Sequence, residues 1–165
     1  MSMIGNLLRV TKIELEEYLK DSSLLEERIY NNTSDEEDPK LVEIDRSWEG
    51  ILFLLTGQNL ETIDHLMARV LFSGQVIDEE QDLGYGPGQY LTHREVKELN
   101  TELSKITTEE LEQRYDSKRM MELEIYPNTW EEDEMINYLT DYFEILKEVF
   151  AEASQNDEAI ITFLN

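Results

Sequence analysis

The amino-acid sequence predicts a single α/β or α+β domain, in which short strands are separated by helices. Three observations lead to this prediction. The chain has 165 residues, which is the size of one ordinary domain. The hydrophobic fraction is 40%, which is enough to bury a core. Apolar residues recur at helical spacing in several segments, and the segments that favour strands lie between them.

Three segments favour strands. Met3–Val10 is apolar, and Ala159–Leu164 is short and rich in β-branched residues. Tyr85–Leu91 begins within a glycine-rich stretch and continues beyond it. No hairpin signal joins any two of them. The segment Asn31–Pro39 carries a run of four acidic residues and is predicted to be a flexible acidic loop. This loop is too short to divide the chain, so residues 1–165 are expected to form one domain.

Helix starts are marked by capping boxes. In such a box an N-cap Ser or Thr and a Glu three residues later each accept a hydrogen bond from a backbone N–H of the other. Five pairs precede helical periodicity: Thr11/Glu14, Ser23/Glu26, Thr92/Glu95, Thr107/Glu110 and Thr129/Glu132. The pair at Thr129 comes before the longest apolar stripe, which runs to Ala153. The longest helix is therefore predicted to begin after Thr129.

The net charge of the chain is −24, from 38 acidic and 14 basic residues. A surface of this sign repels DNA, RNA and anionic lipid, so neither nucleic acid nor a membrane is an expected partner. The charge favours a basic protein partner or mimicry of a nucleic acid. A strongly charged surface also serves simply to keep a protein soluble, and this interpretation stays open.

The sequence lacks several features, and their absence limits which compartment and which cofactors we expect. Cysteine is absent, which excludes disulfides, thiolate nucleophiles and Cys-ligated metals. No apolar run approaches the roughly 18 residues that span a membrane, and the first residues lack the pattern of a secretory signal. The two histidines, His65 and His93, do not have the spacing of a metal motif. We therefore expect a cytoplasmic protein without a bound metal or cofactor.

The segment Gly84–Gly88 holds three of the seven glycines of the chain. It lacks the lysine of a phosphate-binding P-loop, and Pro87 removes one backbone donor. Its glycines precede the predicted strand, which is the wrong order for a dinucleotide fingerprint. Two interpretations stay open. The segment is either a turn that directs the chain into the sheet, or the rim of a pocket to which Tyr85 and Tyr90 contribute aromatic faces and Gln89 a hydrogen-bonding group.

Two further residues are candidates for such a pocket. Trp48 lies in a short helix predicted to end at Gly57, and it either stacks against a ligand or anchors the core. Arg119 belongs to a group of basic residues that either line an anion site or form helical ion pairs with nearby glutamates. The candidate binding residues are Trp48, Tyr85, Gln89, Tyr90 and Arg119. No catalytic motif is present, so no catalytic residue is predicted.

Five segments carry a family resemblance: Met3-Ile4-Gly5, Val42–Trp48, Leu54–Gly57, Gly84–Thr92 and Met121–Pro127. In this order, and followed by the last helix and strand, they resemble the YfbM-like bacterial family of unknown function. The resemblance covers nearly the whole chain. It implies a single-domain three-layer α/β sandwich, with a central mixed sheet and helices on both faces. It implies no activity, substrate or cofactor, so no functional residue is carried over.

Two functions are consistent with these observations. The first is a non-catalytic protein-binding module with a basic partner, such as a toxin that it neutralises. The second is a small-molecule-binding protein or enzyme with a pocket near Gly84–Thr92. The sequence favours the first, because the acidic charge is extreme and no catalytic motif accompanies it.

Overall fold

A four-stranded sheet forms the centre of the fold. In the computed structural model, which describes residues 2–31 and 36–165, the strands are β1 (Gly5–Val10), β2 (Leu41–Glu43), β3 (Gln89–Leu91) and β4 (Ala159–Leu164). They lie in the order β2-β1-β4-β3, and every neighbouring pair is antiparallel. The expectation of a mixed sheet is therefore wrong. A parallel pair needs a crossover connection, usually a single helix, whereas two helices separate β1 from β2 and four separate β3 from β4.

Helices cover both faces of this sheet. One face is covered by α1 (Lys12–Lys20) and α2 (Ser23–Tyr30). In the described part of the chain, the helices on the opposite side are α3 (Trp48–Thr56), α4 (His93–Ser104), α5 (Thr108–Arg114), α6 (Ser117–Glu122) and α7 (Met135–Gln155). This arrangement confirms the single-domain three-layer α/β sandwich that the family resemblance implies.

The two central strands are buried on both faces. Leu7 packs in the core under α3–α7, Leu8 packs in the core under α1 and α2, and each is 0% exposed. Ile160 and Ile161 of β4 divide between the same two cores. Successive side chains of a strand point to opposite faces, so a strand covered on both faces is a continuous apolar run rather than an alternating one. This explains why β4 could be found from its composition.

One strand prediction needs correction, and one strand was not predicted. The strand predicted over Tyr85–Leu91 is confined to Gln89–Leu91, because the preceding glycines form a turn. The strand β2 was not predicted at all, since three residues are too few to show an alternating pattern. It is held by its pairing with β1, in which Val42 lies opposite Leu7.

Local capping chemistry sets several helix starts. The complete box forms at Thr11 and Glu14 and again at Thr92 and Glu95. At the start of α5, Thr107 accepts the N–H of Glu110 at 3.2 Å. These three predicted starts are confirmed.

The other two predicted boxes are wrong. Ser23 lies inside α2, whose N-cap is Ser22 and whose first turn is held by Asp21. Thr129 lies well before α7, which begins at Met135. Long-range packing overrides the local signal here. Trp130 is buried against Gly50 of α3, where an added Cβ would lie 2.7 Å from its ring. Its indole N–H also donates to the carbonyl of Ile125 at 2.7 Å, and together these contacts hold the segment before α7 out of the helix.

The helix α7 has an apolar face toward the sheet and an acidic face toward water. The predicted stripe positions Leu139, Leu146, Val149 and Ala153 are all buried. Between them, Asp141, Glu144 and Glu148 are exposed, as predicted. Among residues 2–31 and 36–165, no helix combines the length and apolar character needed to cross a membrane.

The acidic loop predicted over Asn31–Pro39 is described only in part, because residues 32–35 lie outside the described residues. Its flexibility stays a prediction. In the described part, the Asp38 carboxylate accepts a hydrogen bond from Nε of Arg28 at 2.9 Å. Burial alone would raise the pKa of Asp38, but the bonds from Arg28 and from the Lys40 backbone outweigh burial and lower it.

The capping assignments predict a difference between two threonines. Thr92→Ala removes the side-chain acceptor of a complete box and should lower the free energy of unfolding by about 1 kcal/mol. The matched control Thr129→Ala, at a position outside any helix, should change it by less than about 0.5 kcal/mol. Urea denaturation followed by tryptophan fluorescence measures both, and equal losses would contradict the assignment.

Candidate functional site

The glycine segment is a tight turn organised by one aspartate. A carboxylate oxygen of Asp82 accepts the backbone N–H groups of Gly84 at 2.9 Å and Gly86 at 3.0 Å. The N–H of Leu83 donates to the carbonyl of Gly86 at 2.9 Å. Bonds from Gly84 and then Gly86 lower the pKa of the Asp82 carboxyl, because they stabilise its charged form. The turn therefore has a structural role of its own.

This turn packs directly against the end of β4. The backbone at Gly84 has a φ of +143°, and a Cβ there would lie 2.6 Å from Cα of Asn165. The next residue, Tyr85, donates its N–H to the carbonyl of Leu164 at 3.0 Å. Only glycine fits so close an approach. The result is that Tyr85 is held in a fixed place beside the sheet.

A small pocket lies beside this turn. Its volume is about 90 Å³. It is lined by Gly5, Asn6, Trp48, Leu71, Phe72, Tyr85, Pro87, Gln89, Thr162, Phe163 and Leu164. Three of the five predicted binding residues, Trp48, Tyr85 and Gln89, therefore come together around one cavity.

Most polar side chains at this pocket already have protein partners. The indole N–H of Trp48 donates to the Met3 carbonyl at 3.0 Å. The hydroxyl of Thr162 donates to the Leu71 carbonyl at 2.7 Å. The carbonyl oxygen of the Gln89 side chain accepts the N–H of Gly74 at 2.8 Å. Among the described residues, the NH₂ group of Gln89 and the hydroxyl of Tyr85 have no hydrogen-bond partner, so both remain available to a ligand.

A larger groove adjoins the small pocket and shares Trp48, Tyr85 and Leu164 with it. The groove has a volume of about 530 Å³. Its remaining lining residues are Met3, Glu49, Asn59, Leu60, Glu61, Glu122, Leu123, Glu124 and Tyr126. Four of these are glutamates. The groove is thus acidic, in contrast to the small pocket.

The floor of the groove is a packed aromatic unit. Trp48 and Tyr126 stack with ring centroids 5.4 Å apart, and the Tyr126 hydroxyl accepts the N–H of Met3 at 2.8 Å. Below them, Glu49 is buried and each carboxylate oxygen has a backbone donor. One accepts the N–H of Tyr126 at 2.7 Å and the other that of Leu60 at 3.1 Å. Glu49 therefore ties the groove walls together.

The rim of the groove differs from its floor in exposure and charge. Glu61, Glu122 and Glu124 are exposed to solvent. Tyr85 is the aromatic lining residue most open to solvent, with 42% of its surface exposed, whereas Trp48 is 3% exposed. Trp48 is thus a core anchor whose edge reaches the cavities, and Tyr85 is the ring that an incoming group can contact.

Two predicted binding residues lie elsewhere. Tyr90 follows Gln89 in β3 and so points to the opposite face, where it packs against the core under α1 and α2. Arg119 lines neither cavity. Its guanidinium lies 3.4 Å from the carboxylate of Glu122, which is the helical ion pair that was the alternative interpretation. Arg119 therefore borders the groove only through Glu122.

Several residues of the site were not singled out in the sequence. Two of them, Phe72 and Tyr126, come from distant segments of the chain. The ring of Phe72 contacts that of Trp48 edge-on, with ring centroids 5.8 Å apart. Glu61 and Glu124 are two among many glutamates. Tyr126 lies in one of the segments that carry the family resemblance, and this is the one feature of the sequence that pointed to it.

The two histidines take structural positions. The ring of His65 accepts the N–H of Met67 at 3.0 Å and so caps a 3-10 turn. His93 is the first residue of α4. Within the described ranges, no group of three or more His, Cys, Asp or Glu side chains is arranged to hold a metal ion.

Comparison with known proteins relates this architecture to a family. The family model described as Domain of unknown function (DUF1877) matches residues 1–163. The chain belongs to this family. A crystal structure of a protein of unknown function, YfbM from Escherichia coli, matches with a TM-score of 0.75 and 17% identity, over 98% of this chain and 99% of that chain. The YfbM-like resemblance is confirmed, and at this identity the likeness shows the fold alone. No curated protein matches the sequence.

The glycine turn (Gly84–Gly88) packs closely against β4, and this packing predicts unequal effects of substitution at two glycines. Gly84→Ala combines an unfavourable φ with a collision against Asn165 and should destabilise the domain by about 3 kcal/mol. Gly57→Ala, where φ is +74° but no atom lies within 4 Å of the new Cβ, should cost about 1 kcal/mol. Thermal or urea unfolding of both variants checks this, and equal losses would exclude the close approach as the cause.

The turn also predicts a dependence on pH. Because the pKa of Asp82 is lowered in the folded state, its carboxylate stabilises the fold above its unfolded pKa of about 3.9. This stabilisation is lost as the pH falls through the lower, folded pKa. Asp82→Asn should therefore be destabilising at pH 7, and the difference from wild type should shrink below about pH 4. Urea unfolding at several pH values measures it, and a constant difference would contradict the prediction.

Proposed function

We propose that this DUF1877 domain is a non-catalytic protein-binding module that docks a basic segment of its partner in the acidic groove. One observation carries the proposal. The groove combines an exposed tyrosine, Tyr85, with three exposed glutamates on its rim, Glu61, Glu122 and Glu124. An Arg or Lys side chain matches both features, since it pairs with carboxylates and stacks on aromatic rings.

The charges around the groove support a cationic partner. The only basic side chain within 4 Å of a rim glutamate, among the described residues, is that of Arg119, and its 3.4 Å contact with Glu122 is exposed on both sides. Exposed ion pairs of this kind are worth about 0–1 kcal/mol, so an incoming cation can replace Arg119 at little cost. The total charge of −24 adds long-range attraction for any basic protein, including a basic toxin.

Binding of a basic peptide should depend on the groove and not only on total charge. The triple variant Glu61→Gln, Glu122→Gln, Glu124→Gln should raise the Kd for an arginine hexapeptide about tenfold, because it removes the carboxylates that face the peptide. The matched control Glu16→Gln, Glu17→Gln, Glu27→Gln removes three exposed charges from α1 and α2, on the opposite side of the sheet. It should raise the Kd by no more than about twofold. Fluorescence anisotropy measures both.

Two results would count against the proposal. Equal losses in the two triple variants would show that the peptide responds only to net charge. Purification from native lysate at low and high salt provides a second test with natural partners. A stoichiometric basic protein should be retained by wild type and by the control triple variant, and lost from the groove triple variant. Retention by all three, or by none, would contradict docking in the groove.

A further inference from the structure

The small pocket beside Tyr85 differs in charge from its surroundings. The chain has 52 formally charged side chains, 38 acidic and 14 basic, yet none of the eleven residues that line this pocket is Asp, Glu, Lys, Arg or His. The adjoining groove, by contrast, has four glutamates in its lining. A neutral, largely aromatic and aliphatic cavity is therefore maintained next to an acidic one.

We propose that this pocket binds a compact neutral molecule with an apolar body and one hydrogen-bond-accepting oxygen, such as a small amide. The ligand's oxygen accepts a hydrogen bond from the NH₂ group of Gln89, and its apolar part lies against Trp48, Phe72 and Tyr85. This pocket adjoins the groove proposed for the basic partner and shares Trp48, Tyr85 and Leu164 with it, but the inference does not depend on that function.

The volume of the pocket limits the size of the ligand. One water molecule needs about 10–15 Å³ of such space, and an apolar cavity of about 150 Å³ holds benzene. A pocket of about 90 Å³ therefore suits a molecule of about five heavy atoms. Nucleotides, sugars and most amino acids are too large to enter it whole.

The orientation of Gln89 favours one kind of polar group in the ligand. A backbone N–H can only donate, so the side-chain oxygen of Gln89 must be the atom that faces Gly74, 2.8 Å away. The NH₂ group is then on the other side of the amide, with no partner among the described residues. A donor of this kind selects an acceptor such as a carbonyl oxygen. A cation finds no carboxylate in the pocket, and an anion finds no positive charge and meets the field of a −24 protein.

A series of probes of similar size tests the proposal. N-methylacetamide, acetate and methylammonium are titrated into ¹⁵N-labelled protein, and the resonances of the Trp48 indole and the Gln89 side-chain amide are followed. N-methylacetamide should shift both in a saturable way with a Kd of about 10 mM, as expected for so small a ligand. Acetate and methylammonium should cause no saturable shift of either resonance. Equal saturation by a charged probe, or no saturation by N-methylacetamide, would overturn the proposal.

A near-isosteric variant tests the role of Gln89. Gln89→Glu keeps an oxygen for the N–H of Gly74 but replaces the free donor with a negatively charged acceptor, so it should weaken N-methylacetamide binding about tenfold. The control Gln113→Glu makes the same change on the exposed side of α5 and should have no effect. The groove triple variant should also bind the amide normally, which separates this site from the basic-peptide site. Unchanged binding to Gln89→Glu would exclude the proposed hydrogen bond.

Discussion

The pairing of β1 with β4 is the interaction on which the rest of the structure depends. It runs over six residue pairs, from Gly5 opposite Leu164 to Val10 opposite Ala159. Both strands lie in the middle of the sheet and send alternate side chains into the two cores. The glycine turn and both cavities are attached to the same end of this pair, since Leu164 bonds the turn and lines the small pocket and the groove. The site is therefore only as well ordered as the central strand pair.

Local chemistry explains what could be predicted from the sequence. The box at Thr92 and Glu95 needs only residues three apart, and the stripe of α7 needs only a helical period, so both were found. Thr129 shows the limit of this reasoning. Its local signal is as good as that of Thr92, but the burial of Trp130 holds the chain in another conformation, and tertiary packing decides the outcome.

The candidate site could be predicted only in part, for a geometrical reason. Tyr85 and Gln89, which the glycine segment pointed to, both line the small pocket, because Tyr85 lies in the turn and Gln89 follows it. Tyr90 lies away from this cavity, since one step along a strand reverses the direction of the side chain. Phe72 and Tyr126 reach the site through contacts between distant parts of the chain, which a pattern in one sequence does not contain. The distinction between a neutral pocket and an acidic groove needs these residues and was not foreseeable.

The central position of β4 has a consequence for how the chain folds. Asn6 and Asn165, which are hydrogen-bonded to each other, are 159 positions apart. Contacts of such long range are slow to form, because the entropy of closing the loop must be lost first. During synthesis, β1 has one unpaired edge until β4 has left the ribosome, and unpaired edges invite association between chains. The strong negative charge of this domain opposes such association, so it protects the nascent chain through repulsion during the interval before its sheet is complete.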